Sequence, residues 1–305
     1  MAYTKLIPRH TPGARVEEIS RGEAYRLIIP AGSADKYRLA QLDDYTKTAR
    51  SRFPLRFPLN LSLSARASSD SIPGTWGFGF WNDPFGFSLG FGGDPFRLPA
   101  LPNAAWFFHA SEESYLSFRS SRAERNGVET KRGASSPWRQ ISTQSVSTSR
   151  RHSAPPTGTS QRVAANGFLA QTFRSPGFHP LLVPAGLALP FSRRTTRRLL
   201  GRVIDEDGIN LRSLAPTGPL ENAPDANPDL TQWHRYRLDW RETRASFEVD
   251  NVRVFESHVS PHLPLGLVIW IDNQYAAFTP EGKIGFGVLQ NPEPAWLEIR
   301  ELELR

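Results

Sequence analysis

The stretch Trp233-His234-Arg235-Tyr236-Arg237-Leu238-Asp239-Trp240 decides the fold. Side chains of an extended chain alternate between two faces. His234, Tyr236, Leu238 and Trp240 therefore share one side, and Arg235, Arg237 and Asp239 share the other. Ala245–Val249 follows, then a polar turn at Asp250-Asn251, then Val252–Glu256. Short strand-forming runs around a two-residue Asp/Asn turn predict a β-hairpin. Downstream, the apolar run Leu265–Asp272 and the segments Lys283–Leu289 and Trp296–Leu304 read as further strands.

Upstream, Leu59, Leu61, Leu63, Ala65 and Ala67 alternate with Asn60, Ser62, Ser64 and Arg66. In Gly74–Asp83, Trp76, Phe78, Phe80 and Asn82 fall on one face and Gly77, Gly79, Trp81 and Asp83 on the other. Glycines inside a strand weaken it, so the pair marks a close approach to the backbone, by a ligand or by tight sheet packing. Ala104–Ala110 and Ser114–Arg119 are the next strands. Ala24–Ile29 reads as an early strand, and Gln41–Tyr45 as a polar turn. Many short strands with almost no helix predict an all-β, two-sheet jelly-roll sandwich, one domain over residues 1–305.

A long basic insertion, 120–207, interrupts that pattern. Arg119–Ile204 holds fifteen Lys or Arg against two Glu, a balance of +13 in a chain whose net charge is +7, so the remainder sums to −6. The basic pI of about 10.0 therefore belongs to the insertion. Residues 120–165 carry few large apolar side chains and are expected to be flexible. Residues 167–207 are apolar, then basic. At helical spacing Leu199, Leu200, Val203 and Ile204 gather opposite Arg194, Arg197, Arg198 and Arg202, the pattern of an amphipathic helix. Three readings fit it: a surface loop with a packing helix, a segment facing an anionic membrane, or a lid over a cleft. No nucleic-acid motif accompanies the basic run, so no nucleic-acid partner is expected. The chain has no cysteine, no signal-type apolar run in its first thirty residues and no apolar stretch of about 20 residues. The expected location is cytoplasmic, with membrane association through 167–204.

Three segments resemble the concanavalin A-like lectin/glucanase superfamily, in particular the laminarinase-like glycoside hydrolases of family 16. They are Gly74-Thr75-Trp76 with the aromatic strand after it, the Trp233–Trp240 hairpin with Phe247–Asn251, and the closing strand Trp296–Leu304. The likeness covers Leu59–Arg119 and Trp233–Arg305. It implies a jelly roll and a catalytic strand of the form ExDxxE after the aromatic strand. The segment in that place, Ala104-Ala105-Trp106-Phe107-Phe108-His109-Ala110, holds no carboxylate. Retaining hydrolysis needs two carboxyls about 5 Å apart across the glycosidic bond. Glu112 and Glu113 lie beyond the strand and, as neighbours, would point to opposite faces. Ordinary family-16 hydrolysis is therefore not expected.

The aromatic density of Trp76–Phe108 marks the candidate ligand site. Trp76, Phe80, Trp81, Asn82, Trp106 and Phe108, opposite Trp270 and Tyr275, are the expected binding residues. Most of the phenylalanines there equally suit core packing. Asp83, His109, Glu112 and Asp272 are the candidate acids and bases. For three of them a plainer reading stands: Asp83 before a proline as a turn residue, Asp272 as a strand-end cap, and His109 as a core histidine. No His, Asp or Glu grouping has metal-ligand spacing, and no cofactor motif occurs. The sequence thus points to a cleft-binding protein, without standard hydrolysis, for a glycan, a glycolipid or an apolar molecule at a membrane. It leaves open an enzyme of different acid–base chemistry on an apolar substrate, and a peripheral membrane protein acting through its insertion.

Overall fold

The alternation at Leu59–Ala67 places Leu59, Leu61, Leu63, Ala65 and Ala67 inside a sandwich, buried against the opposite sheet. The structure, a computed structural model, describes residues 5–84, 100–117, 166–176, 203–212, 228–278 and 284–305. Its strands in chain order begin β1 (Ile7–His10), β2 (Arg15–Ser20), β3 (Ala24–Ile29), β4 (Leu39–Asp43), β5 (Leu59–Ala67) and β6 (Thr75–Trp81). Next come β7 (Ala104–Ala110), β8 (Tyr115–Leu116), β9 (Gly167–Arg174), β10 (Asp205–Asn210) and β11 (His234–Trp240). The last are β12 (Ala245–Val249), β13 (Val252–Ser257), β14 (Gly266–Asp272), β15 (Gln274–Phe278), β16 (Ile284–Val288) and β17 (Ala295–Leu304).

Among the described residues, two seven-stranded antiparallel sheets form a jelly-roll sandwich. One has the order β1-β4-β14-β6-β7-β9-β10, the other β13-β12-β11-β5-β17-β3-β2. A small sheet, β16-β15-β8, continues from the end of β14. The two large sheets meet through Trp76, Phe78, Phe80, Phe107, Phe168, Tyr236, Leu238, Trp240 and Phe247, with the aliphatic faces of β5, β14 and β17. The predicted hairpin is β11–β12–β13. Its turn holds Asp250 at φ 50° and Asn251 at φ 65°, a left-handed pair that Asp and Asn tolerate. Asp250 also accepts the Arg235 amide at 2.8 Å and pairs with His234 Nδ1 at 2.6 Å, tying the turn to β11.

Two expectations are corrected. Gln41–Tyr45 is not a polar turn, because Leu39–Asp43 is β4, hydrogen-bonded between β1 and β14. Its polar residues satisfy one another. Gln41 donates to Asp43 at 2.8 Å, and the Tyr45 and Thr46 amides donate to the same carboxylate at 3.1 and 2.7 Å. The interruption is also narrower than 120–207. Gly167–Arg174 and Asp205–Asn210 pair with each other and extend the first sheet. Phe168 and Ala170 point into the core, so this part of 167–207 belongs to the sandwich. Residues 118–165 and 177–202, which include Arg194, Arg197, Arg198, Leu199 and Leu200, lie outside the described residues. Among the described residues no helix is long and apolar enough to cross a membrane.

The glycines of β6 are explained by close packing. A Cβ on Gly79 would sit 2.4 Å from the Ala105 carbonyl and 2.6 Å from Trp106 Cα, where φ is already +153°. A Cβ on Gly285 of β16 would meet nothing nearer than 3.8 Å. Gly79→Ala is therefore expected to cost about 3 kcal/mol, and Gly285→Ala to be neutral or slightly stabilising. Urea denaturation of both variants checks this, and equal midpoints would refute the account.

Candidate functional site

The outward face of the first sheet is built by the side chains the sandwich core does not use. Antiparallel partners share a face, so the pairings of β14 with β6 and of β6 with β7 fix its membership. Asp272, Trp270 and Val268 come from β14. Thr75, Gly77, Gly79 and Trp81 come from β6, and Ala110, Phe108, Trp106 and Ala104 from β7. β4 adds Leu39, Gln41 and Asp43, and β9 adds Leu169, Gln171 and Phe173. The apolar members form a second cluster with Tyr45, Phe53 and Leu101, separate from the inter-sheet core, in which Trp106, Phe108 and Trp270 are buried and Trp81 and Tyr37 are half-buried at its edge.

Its centre is a set of touching aromatic rings. Trp81 and Trp270 stack at 6.0 Å with planes 4° apart, and Trp106 contacts both, at 6.0 and 5.7 Å. Phe108 stacks on Trp106 and on Trp270 at 5.5 and 5.8 Å. Gly77 makes room for this, because the Trp270 ring edge lies 2.8 Å from where a Cβ would stand. The close approach implied by the paired glycines is therefore made by Trp270 and by β7 itself. Trp81 Nε1 donates to the Tyr45 hydroxyl at 2.6 Å, which fixes the half-buried ring. The Trp106 indole N–H is buried without a hydrogen-bond partner.

Asp272 forms the polar end. Its carboxylate accepts from the Thr75 hydroxyl at 2.7 Å, the Tyr37 hydroxyl at 3.1 Å and the Gln274 amide at 3.2 Å. Thr75 in turn accepts from Trp270 Nε1 at 3.0 Å. Burial pushes Asp272 up to about 6, against the donors that pull it down. At the other end Asp44 accepts the Leu267 amide at 2.9 Å on Oδ1, while its buried Oδ2 has no partner. Burial raises Asp44 to about 7; the Leu267 amide opposes this and the neighbouring Asp43 adds to it.

The structure brings together Trp81, Trp106, Phe108, Trp270 and Asp272 on this face. Other candidates lie elsewhere. Trp76 and Phe80 point into the inter-sheet core, so they meet no ligand on the sheet surface. His109 faces the same core, stacked on Trp76 at 5.6 Å, with Nε2 3.3 Å from the Ile72 carbonyl. Its Nδ1 is buried without a partner, and burial lowers its pKa to about 4, so it is neutral and removed from the site. Asn82 is spent on structure, donating to the Leu101 carbonyl at 2.8 Å and accepting the Asn103 amide at 3.0 Å. Asp83 follows it, buried at φ 48°, with its carbonyl held by Arg50 at 2.6 Å. Glu112 is exposed in the turn after β7. Tyr275 lies in the small sheet, its ring against Gly287.

Val203 and Ile204 pack in the aromatic cluster, and the other residues of the expected membrane-facing stripe lie outside the described residues. Sequence reasoning missed Tyr37, Thr75, Tyr45 and Gln171. Thr75 carried a signal, since it shares the alternation of Gly77, Gly79 and Trp81; Tyr37, in a connecting loop, carried none. Among the described residues no group of three or more His, Cys, Asp or Glu is placed to hold a metal ion.

No protein-family model matches the chain, and no curated protein matches it in sequence. Solved structures with similar folds include family-16 glycoside hydrolases. A Bacteroides ovatus family-16 protein of a mixed-linkage glucan locus, in complex with an oligosaccharide product, has 9% identity and a TM-score of 0.41, over 100% of this chain and 96% of that one. A glycoside hydrolase family protein from Mycobacterium thermorestibile has 10% identity and a TM-score of 0.40, over 100% and 94%. The catalytic domain of a laminarinase from Thermotoga petrophila has 10% identity and a TM-score of 0.37, over 92% and 80%. At these values none of their residues is placed on a residue of this chain.

The shifted groups give the fold opposing pH dependences. His109 titrates lower folded than its ordinary 6.5, so its contribution to stability is lost as pH falls from about 6.5 towards about 4. Asp272 and Asp44 titrate above the ordinary 3.8, so theirs is lost as pH rises through about 6 and about 7. His109→Gln is expected to gain on the wild type as pH falls to 4.5, by up to about 3 kcal/mol. Asp272→Asn is expected to gain as pH rises to 8. Denaturation curves parallel to the wild type across this range would sink both assignments.

Proposed function

We propose that the chain is a glycan-binding jelly roll that carries its ligand on the outward aromatic face of the first sheet, without ordinary two-carboxylate hydrolysis. The observation behind this is the composition of β7. The side chains it turns to that face are Ala104, Trp106, Phe108 and Ala110, aromatic and small, with no carboxyl among them. Indole faces and edges suit the C–H face of a pyranose, and sugar sites add a few placed polar groups. Half-buried Trp81 and Tyr37 are the members at the edge of the cluster, and the Tyr37 hydroxyl, held by Asp272, places a polar group beside the rings. Family-16 structures such as the Bacteroides ovatus complex, which holds a glucan product, are consistent with a saccharide as ligand class.

A second reading has one observation in its favour. Asp272 is a buried carboxyl held near 6, the range suited to an acid–base group. Against it, three donors already hold that carboxyl, which supports a role in positioning Trp270.

Calorimetric titration with soluble β-glucan oligosaccharides tests the proposal. Binding is expected, with Trp81→Ala weakening it about tenfold and no reducing ends released on long incubation. Oligosaccharide cleavage abolished by Asp272→Asn would overturn the non-hydrolytic reading, and no binding by the folded wild type would overturn the glycan reading.

A further inference from the structure

The hydrogen-bond directions around Asp272 are fixed at every point except one. Trp270 Nε1 can only donate, and it donates to Thr75 Oγ1 at 3.0 Å. Thr75, which takes that N–H on its oxygen, turns its own proton to Asp272 Oδ1 at 2.7 Å. The Gln274 amide, also a pure donor, reaches the same oxygen at 3.2 Å. Oδ1 is therefore filled by donors and leaves no direction for a proton of its own. Oδ2 faces the Tyr37 hydroxyl at 3.1 Å, and a hydroxyl both donates and accepts.

We infer that Asp272 and Tyr37 form a proton-reversible pair in which protonation of Asp272 on Oδ2 reverses their hydrogen bond and turns the Tyr37 hydroxyl to donate into the aromatic site. With Asp272 ionised, Tyr37 O–H points to the carboxylate and offers only lone pairs outward. With Asp272 protonated, the new O–H donates to Tyr37, and the tyrosine proton must find another acceptor. One proton is taken from solvent, no covalent bond of the chain changes, and the Trp270–Thr75–Oδ1 chain stays as it is. Tyr37 is the half-buried member and packs against the aromatic cluster, so the change appears at the site's edge.

The surroundings suit such a pair. The groups acting on the Asp272 carboxyl are neutral: Thr75 of β6, Gln274 of β15 and Tyr37 of the loop before β4, while β4 itself brings the apolar Leu39. Arg9 of β1 and Asp83 after β6 act on Tyr37 with opposite sign. Burial and the Asp272 charge hold the Tyr37 phenol well above its ordinary range, so it stays protonated throughout. Burial brings Asp272 to about 6, where the reversal falls at mild pH.

Carbon NMR on the full chain, labelled at tyrosine Cζ and aspartate Cγ, tests this without any ligand. Tyr37→Phe and Asp272→Asn assign the two signals. The Asp272 signal is expected to titrate near 6, and the Tyr37 signal to move with the same midpoint although the phenol does not ionise. Tyr37→Phe, which removes a donor to the carboxylate, should raise the Asp272 midpoint, and Asp272→Asn should leave Tyr37 flat. A silent Tyr37 signal while Asp272 titrates, or an unchanged midpoint in Tyr37→Phe, overturns the pair. The consequence for binding rests on the glycan reading: β-glucan oligosaccharide affinity should change about fivefold across the same midpoint, a dependence lost in Tyr37→Phe. If no oligosaccharide binds at any pH, the glycan reading fails, and the NMR titration alone decides the pair.

Discussion

The contact between β6 and the Trp270 indole is the constraint on which the rest depends. β6 must bury Trp76, Phe78 and Phe80 between the sheets, and alternation then gives Gly77 and Gly79 to the other side. With no side chain at those positions, Trp270 lies on the backbone of β6 and Trp106 rises from β7 beside it. One strand thus sets both the inter-sheet core and the packing of the aromatic cluster on its other face. A substituent at either glycine would push on both at once.

The sandwich was legible because its strongest signals are local. The alternation of Leu59–Ala67, the run Ala104–Ala110 and the hairpin around Asp250-Asn251 needed no partner to be read, and each is a strand or turn of the structure. Strands whose polar groups are satisfied by tertiary contacts were not legible. Gln41 and Asp43 look like turn residues until the Tyr45 and Thr46 amide donors are in place. β9 and β10 are hidden because each is a short piece beside a long basic segment, whose charge outweighs the apolar signal of Phe168, Ala170 and Ile209.

The site was half legible for the same reason. Period two told which residues share a face but not which face looks inward, so Trp76 and Phe80 stood beside Trp81 and Trp106 as equal candidates. Tertiary pairing separated them. The polar end shows the limit most clearly. Asp272 was visible at its strand end, but its character comes from Tyr37 and Thr75, distant in sequence, and from burial that no local pattern encodes.

The pairing of β9 with β10 has a consequence for how this chain can vary. Arg174 and Asp205 face each other across the ladder and form an ion pair at 2.9 Å, so the polypeptide leaves and re-enters the sheet at one point. The residues just inside that point are not free to change with it. Ser175 is held by Asn103, and Val203 and Ile204 pack in the aromatic cluster. A one-residue slip of β10 on β9 would turn every side chain of the strand to the other face and pull Ile204 out of the cluster. Variation at this edge of the sheet is therefore limited by the cluster as well as by the ladder.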